Sequence, residues 1–161
     1  MLDSAAGTDF EAHTSSSVVL DGDITLVAKE VTIGVSSNVQ VPANRQVHVY
    51  AEEHANFATS AIINNISRLP KNFRFYYAGT DNLGIGVGSG FYGFVYAPEA
   101  TVRIATGGDF YGGIVGDEAE VAVGARYHYD RALEQAVGMI PGAPPAGPAV
   151  VKCWRQLTSA P

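Results

Sequence analysis

The sequence predicts an all-β protein and, within that class, a parallel, right-handed β-solenoid. Three observations carry the prediction. The 161 residues hold 27 valines and isoleucines against 7 leucines, with 18 glycines, a strand-and-turn composition. Apolar residues recur with period two in short runs separated by turn residues, as half-buried strands require. A segment also repeats: Phe91-Tyr92-Gly93 returns as Phe110-Tyr111-Gly112, and Glu99-Ala100 as Glu118-Ala119. A repeat that short holds only small strands and cannot bury its own face, so copies must stack.

Along the chain, residues 1–17 are small and polar and read as a lead-in. Strands are then predicted at Asp23–Val27, Glu30–Ile33, Asn38–Val41, Gln46–Tyr50, Ala61–Ile66, Asn72–Tyr77, Phe91–Tyr96, Thr101–Ile104, Asp109–Val115, Glu120–Val123 and Arg126–Tyr129. The Gly84–Gly90 run alternates glycine with Ile85 and Val87 and precedes no helix, so it reads as a glycine-rich strand or bulge, not a phosphate loop. Carrying the 19-residue offset through the repeat sets Val102 beneath Val121 and Ile104 beneath Val123. The expected interior is therefore Val102, Ile104, Val121, Val123, Phe110 and Ile114. Asp21-Gly22 alone gives a hairpin signal, which disfavours the competing antiparallel sandwich. Parallel crossovers are right-handed by rule.

The solenoid is expected over 18–140. It includes a short capping helix at 130–137, with Asp130 as N-cap and Gly138 as stop, whose Leu133 and Val137 lie over the last rung. Residues 141–149 (PGAPPAGPA) form an extended linker, and 150–161 supply a terminal strand, Val150 to Trp154, and a tail.

Charge narrows the partners. The net charge is −6, and lysine occurs three times, so a phosphate-tracking surface is not expected and neither nucleic acid nor an anionic membrane fits; no run of 18 apolar residues is present, so membrane insertion is not expected either. Cys153 is the only cysteine, and no cysteine and histidine spacing matches a zinc site. Met1-Leu2-Asp3-Ser4 has neither the basic nor the apolar part of a signal peptide. Such a start is expected of a portion of a longer protein tethered on its N-terminal side.

Candidate chemistry is sparse. His128 and Asp130 share a strand face, but no serine nucleophile motif accompanies them, and Asp130 is the expected cap, with His128 hydrogen-bonding locally beside it. Asp109, Asp117, Glu118 and Glu120 gather around turns without a calcium-loop spacing and read as solvated. Because alternate residues face opposite ways, Phe91 and Phe110 stack on one side and Tyr92 and Tyr111 on the other. One column fills the core. The other, Tyr92 and Tyr111, is the candidate ligand-facing ladder for sugar or protein. No catalytic, cofactor-binding or metal-ligating residue is expected.

The stretch Phe91-Tyr92-Gly93-Phe94-Val95-Tyr96-Ala97-Pro98-Glu99-Ala100-Thr101-Val102 resembles the "fyGaiYAPnAtv" signature of a bacterial cell-surface solenoid domain. That domain lies at the C-terminal side of PilX-type type IV pilus-assembly accessory proteins and related adhesins. Asp109–Val115 resembles its next rung, Tyr127–Leu133 its closing "fHYDeaL", and Val151–Arg155 its terminal "vvsWre". Leu20–Asp23 and Phe73–Thr80 resemble upstream segments. The departures, Glu99 for asparagine and Ala105-Thr106 in a turn, touch turn stability. The resemblance marks Tyr96, Pro98, Phe110, Gly112, His128, Asp130 and Trp154 as structural motif residues. It implies a non-enzymatic structural or adhesion module at the cell envelope or extracellular surface. Its implied partners are other pilus or envelope proteins and a host or surface ligand; separately, an uncapped first rung would present unpaired backbone groups, so a homodimer through the N-terminal edge is also expected. A carbohydrate-active enzyme or carbohydrate-binding module on a β-helix is the alternative.

Overall fold

A computed structural model of the chain describes residues 8–58, 60–86 and 90–135. The predicted 136–137 part of the helix, the linker, the terminal strand with Cys153 and Trp154, and the tail lie outside the described residues. Among the described residues there are eleven strands: β1 (Phe10–Ala12), β2 (Ser17–Val19), β3 (Ile24–Ile33), β4 (Asn38–Val41), β5 (Val47–Phe57), β6 (Ile62–Asn65), β7 (Phe73–Tyr77), β8 (Leu83–Ile85), β9 (Phe91–Ile104), β10 (Asp109–Val121) and β11 (Arg126–Tyr129). Every pairing among them is parallel, and they form a β-solenoid of about six turns. One sheet runs β1-β3-β5-β7-β9-β10-β11 with β8 beside β9, and a second runs β2-β4-β6.

The long strands change register partway, and there the large sheet bends into two faces, a first arm before the bulge and a second arm after it. Ala28 pairs with Ala51 and Glu30 with His54, so Lys29 faces both Glu52 and Glu53. Ala97 pairs with Gly116 and Thr101 with Glu118, so Pro98, Glu99 and Ala100 face Asp117 alone. The predicted strand pairs 91–96 with 101–104, and 109–115 with 120–123, are therefore single strands bent at a bulge. The small sheet makes a third face, and the chain abandons that face as it climbs. Val47 lies over Ile24, Phe73 over Val47, Val95 over Phe75, Phe110 over Phe91 and Arg126 over Asp109, so turn lengths run 23, 26, 20, 19 and 17 residues.

That bulge corrects the expected interior. It removes two residues from the offset, so Val102 pairs with Ala119 and Ile104 with Val121. Val102, Ile104 and Phe110 are buried as expected, and Ile114 packs half-buried against the core. Val121 is 47% exposed because β11 covers only residues 109–112 of β10. Val123 is 85% exposed because it stands in the turn beside Gly124, which lies against Gly107 of the turn below. The lead-in reading is also corrected. Ala12 is buried, β1 pairs with Val31–Ile33, and β2 pairs with Asn38–Gln40, so the solenoid begins before residue 18. Strands of three residues are too short to show a period in sequence.

The interior carries an aromatic column. Phe73 meets Phe91 edge-on at 5.8 Å, Phe91 stacks on Phe110 at 4.9 Å, and Phe110 on Tyr127 at 5.5 Å. Gly112, at φ +148°, lets β10 approach β9, where a Cβ would collide with the Gly93 carbonyl oxygen. The tight turns place Ser15, Ser36 and Asn44 in the left-handed region, the role Gly107 and Gly124 fill higher up.

Over its described part, the helix expected at 130–137 is corrected to a 3-10 turn, Arg131–Gln135. Asp130 does cap it, accepting the Ala132 amide at 2.9 Å. Leu133 packs on Tyr76 and Phe94, on the outer face of the first arm, and not over the last rung. Gly113 makes the seat, since a Cβ there would lie 3.0 Å from Leu133 Cδ1.

These placements give a paired expectation. Ile104→Asp, at a 2% exposed position, abolishes the cooperative thermal transition followed by circular dichroism, because it buries an unpaired carboxylate. Val123→Asp shifts stability by less than about 0.5 kcal/mol. Comparable losses in both variants would contradict the bulged register.

Candidate functional site

The side chains of the first arm alternate between the interior and an outer face, and parallel pairing stacks like positions on that face. Two outward aromatic ladders result. In one, Tyr92 stacks on Tyr111 at 4.6 Å with 6° between the rings, and Tyr111 on His128 at 4.5 Å with 7°. Tyr92 and Tyr111 are half-buried and His128 is exposed. In the other, Tyr50 stacks on Tyr76 at 4.5 Å, and Tyr76 meets Tyr96 at 6.2 Å. Leu133 lies over this second ladder and leaves Tyr76 only 6% exposed. The first ladder is the open one.

The expected stacking of Phe91 on Phe110 inside and Tyr92 on Tyr111 outside is present. His128 corrects its expected role: its ring continues the ladder, because Tyr111 pairs with it directly. Tyr96 stands in the covered ladder, Pro98 is exposed at the bulge, and Phe110 is wholly buried. No motif in the chain signals Arg68, whose guanidinium carbon stands 5.8 Å from the Tyr92 ring centre, a cation–π distance. Its loop is tied down by a buried polar network. Asn65 Nδ2 donates to the carbonyls of Leu69 at 2.8 Å and Tyr92 at 3.1 Å, Ser67 Oγ donates to Asn65 Oδ1, and Asn72 Nδ2 donates to Ser67 Oγ. The Tyr50–Tyr76–Tyr96 ladder was also missed, since turns of unequal length hide it from any fixed-offset search.

Beside the open ladder, Arg126 donates two hydrogen bonds to Asp109, at 2.6 and 2.9 Å. The guanidinium holds the Asp109 carboxyl below its ordinary range. Gly90 fills the equivalent place one rung lower, and a Cβ there would press on both tyrosine rings. Next to the covered ladder, burial and the nearby Arg74 guanidinium push the His48 imidazole down, so it is neutral at pH 7.

The acids lie elsewhere. Glu30, Glu52, Glu53, Asp81, Glu99, Asp117 and Glu118 are all exposed along the bulged corner between the first and second arms. Lys29 pairs with Glu53 at 3.2 Å, and His54 with Asp81 at 2.8 Å. Among the described residues, no group of three histidine, cysteine, aspartate or glutamate side chains is placed to hold a metal ion. No described helix is long and apolar enough to cross a membrane. Two small cavities against the core hold about 10 Å³ each, the room of one water.

A tapering parallel β-solenoid with an outward aromatic ladder is thus the class of protein that the chain forms. It belongs to the family described as a domain of unknown function (DUF7305), whose family model matches residues 8–136. No curated protein and no solved structure matches the chain.

Two outcomes follow from this geometry. Leu133→Ala lowers stability by about 2–3 kcal/mol in denaturant melts, because a well-buried leucine leaves the Tyr76–Phe94 seat. The Asp109 carboxyl, followed by NMR, titrates below 3.8, and Arg126→Ala moves its midpoint up towards that value. A lowered folded-state pKa means that the contribution of the pair is present at neutral pH. It fades only as pH falls through that lowered pKa.

Proposed function

We propose that this chain is a non-enzymatic structural and adhesion module of the bacterial cell envelope, carried by pilus-associated machinery, with the Tyr92–Tyr111–His128 ladder as its recognition face. The observation that carries the reading is that ladder. Three rings held at 4.5–4.6 Å on rigid parallel rungs form a preorganised surface, and binding to it orders few side chains. The resemblance of residues 91–102 and 127–133 to pilus-accessory domains supports the same reading. The partners are other pilus or envelope proteins or a surface ligand, and the site is the outer surface of the cell.

Adherence of cells carrying the full-length native protein tests it. Tyr92→Thr/Tyr111→Thr keeps β-propensity on half-exposed positions, so thermal stability stays within a few degrees of the parent. Adherence to surfaces is expected to fall severalfold, with the protein in the envelope fraction. Unchanged adherence, or a protein confined to the cytoplasm, would overturn the proposal.

A further inference from the structure

The open ladder offers a ligand something specific. The faces of the Tyr111 ring are covered by Tyr92 and His128, so a ligand cannot lie flat on it and meets a row of ring edges instead. Those edges carry the Tyr92 and Tyr111 hydroxyls and the His128 ring nitrogens. Among the described residues none of the three groups has a hydrogen-bond partner. Each is both donor and acceptor, and they recur in register, one per rung. A polymer with a hydroxyl-bearing repeating unit matches such a row better than a peptide of changing side chains.

The charge around the row is positive, although the chain is acidic. Arg68 closes the Tyr92 end and has no carboxylate partner among the described residues, and Lys71 and Arg74 follow on the next segment. Arg126 flanks the other end, where its charge is balanced by Asp109. Asp130 and the Arg131–Glu134 pair, at 3.9 Å, lie beyond His128. The acidic corner stands at the far end of the first arm. Tyr92 and Glu99 are seven residues apart on β9, roughly 23 Å at about 3.3 Å per residue. That is more than two Debye lengths, at about 8 Å each in physiological salt, so the corner barely opposes an anion at the ladder.

Resting on the ladder being the recognition face, we infer that its ligand is a linear polysaccharide bearing carboxylates, lying along the Tyr92–Tyr111–His128 edges. Its hydroxyls exchange hydrogen bonds with the ring edges, and a carboxylate takes a bidentate pair from Arg68.

Calorimetry on the full chain with polygalacturonate tests this against the same polymer fully methyl-esterified, which keeps the sugar and removes the charge. Poly-glutamate serves as a polyanion without sugar. Binding to polygalacturonate is expected, at least tenfold tighter than to either control, and weaker as salt rises. Arg68→Gln and Tyr111→Thr should each weaken it about tenfold at unchanged thermal stability. Arg45→Gln, on a distant turn beside Asp21, should leave it intact. Equal affinity for the ester or for poly-glutamate, no binding to polygalacturonate, or an Arg68→Gln variant that binds like the parent would each overturn the inference. Adherence that is lost in the ladder variant but equally strong on neutral surfaces would overturn it while leaving the adhesion reading standing.

Discussion

Parallel pairing of successive turns with their side chains in register is the constraint from which the rest of this structure follows. Once Val95 lies over Phe75 and Phe110 over Phe91, each outward or inward position becomes a column rising along the solenoid. Every side chain must then suit the one beneath it. Aromatic rings satisfy this by stacking, which is why Phe91, Phe110 and Tyr127 fill the interior of the upper turns. The same rule acts outside, where nothing requires burial, and there it produces the two tyrosine ladders. The candidate site is thus a by-product of the packing rule, exposed on one face.

A constant rung would make a uniform prism, and this chain departs from that. The bulges at Lys29 and at Pro98–Ala100 shift the register and turn the sheet through a corner. Side chains at a corner leave the sheet and reach solvent, and it is there that the carboxylates collect. The loss of the third face above β6 shortens the turns to 19 and 17 residues. The segment around Pro70 packs beside Gly112 of the upper turns and brings Arg68 to Tyr92. The charge segregation thus follows from the bulges, and the taper from where the chain leaves a rung early.

Covering one ladder and leaving the other open sets the difference between packing and surface. Leu133 lies over Tyr76 and Phe94 where Gly113 leaves it room, since a Cβ there would stand 3.0 Å from Leu133 Cδ1. Among the described residues Tyr111 and His128 have no such neighbour, and Tyr111 stays half-exposed and His128 exposed.

The amino-acid sequence by itself determined the class, the parallel stacking and much of the inside–outside alternation. Those are local properties, written in period two and in the Phe-Tyr-Gly repeat. Asn38–Val41 and Arg126–Tyr129 coincide with their predicted runs, and the two opposite stacks of Phe91–Phe110 and Tyr92–Tyr111 are legible from alternation alone. What only the tertiary structure decided depends on residues far apart in the chain. The bulge at Pro98–Ala100 moved Val121 to pair with Ile104, and the end of the described rungs left it and Val123 exposed. Pairing with Tyr111 made His128 a rung of the ladder, and the Asn65 network set Arg68 beside it. A local pattern records which way a side chain points. It does not record which rung lies above, or what another turn brings alongside, because those are set by register and by loop length.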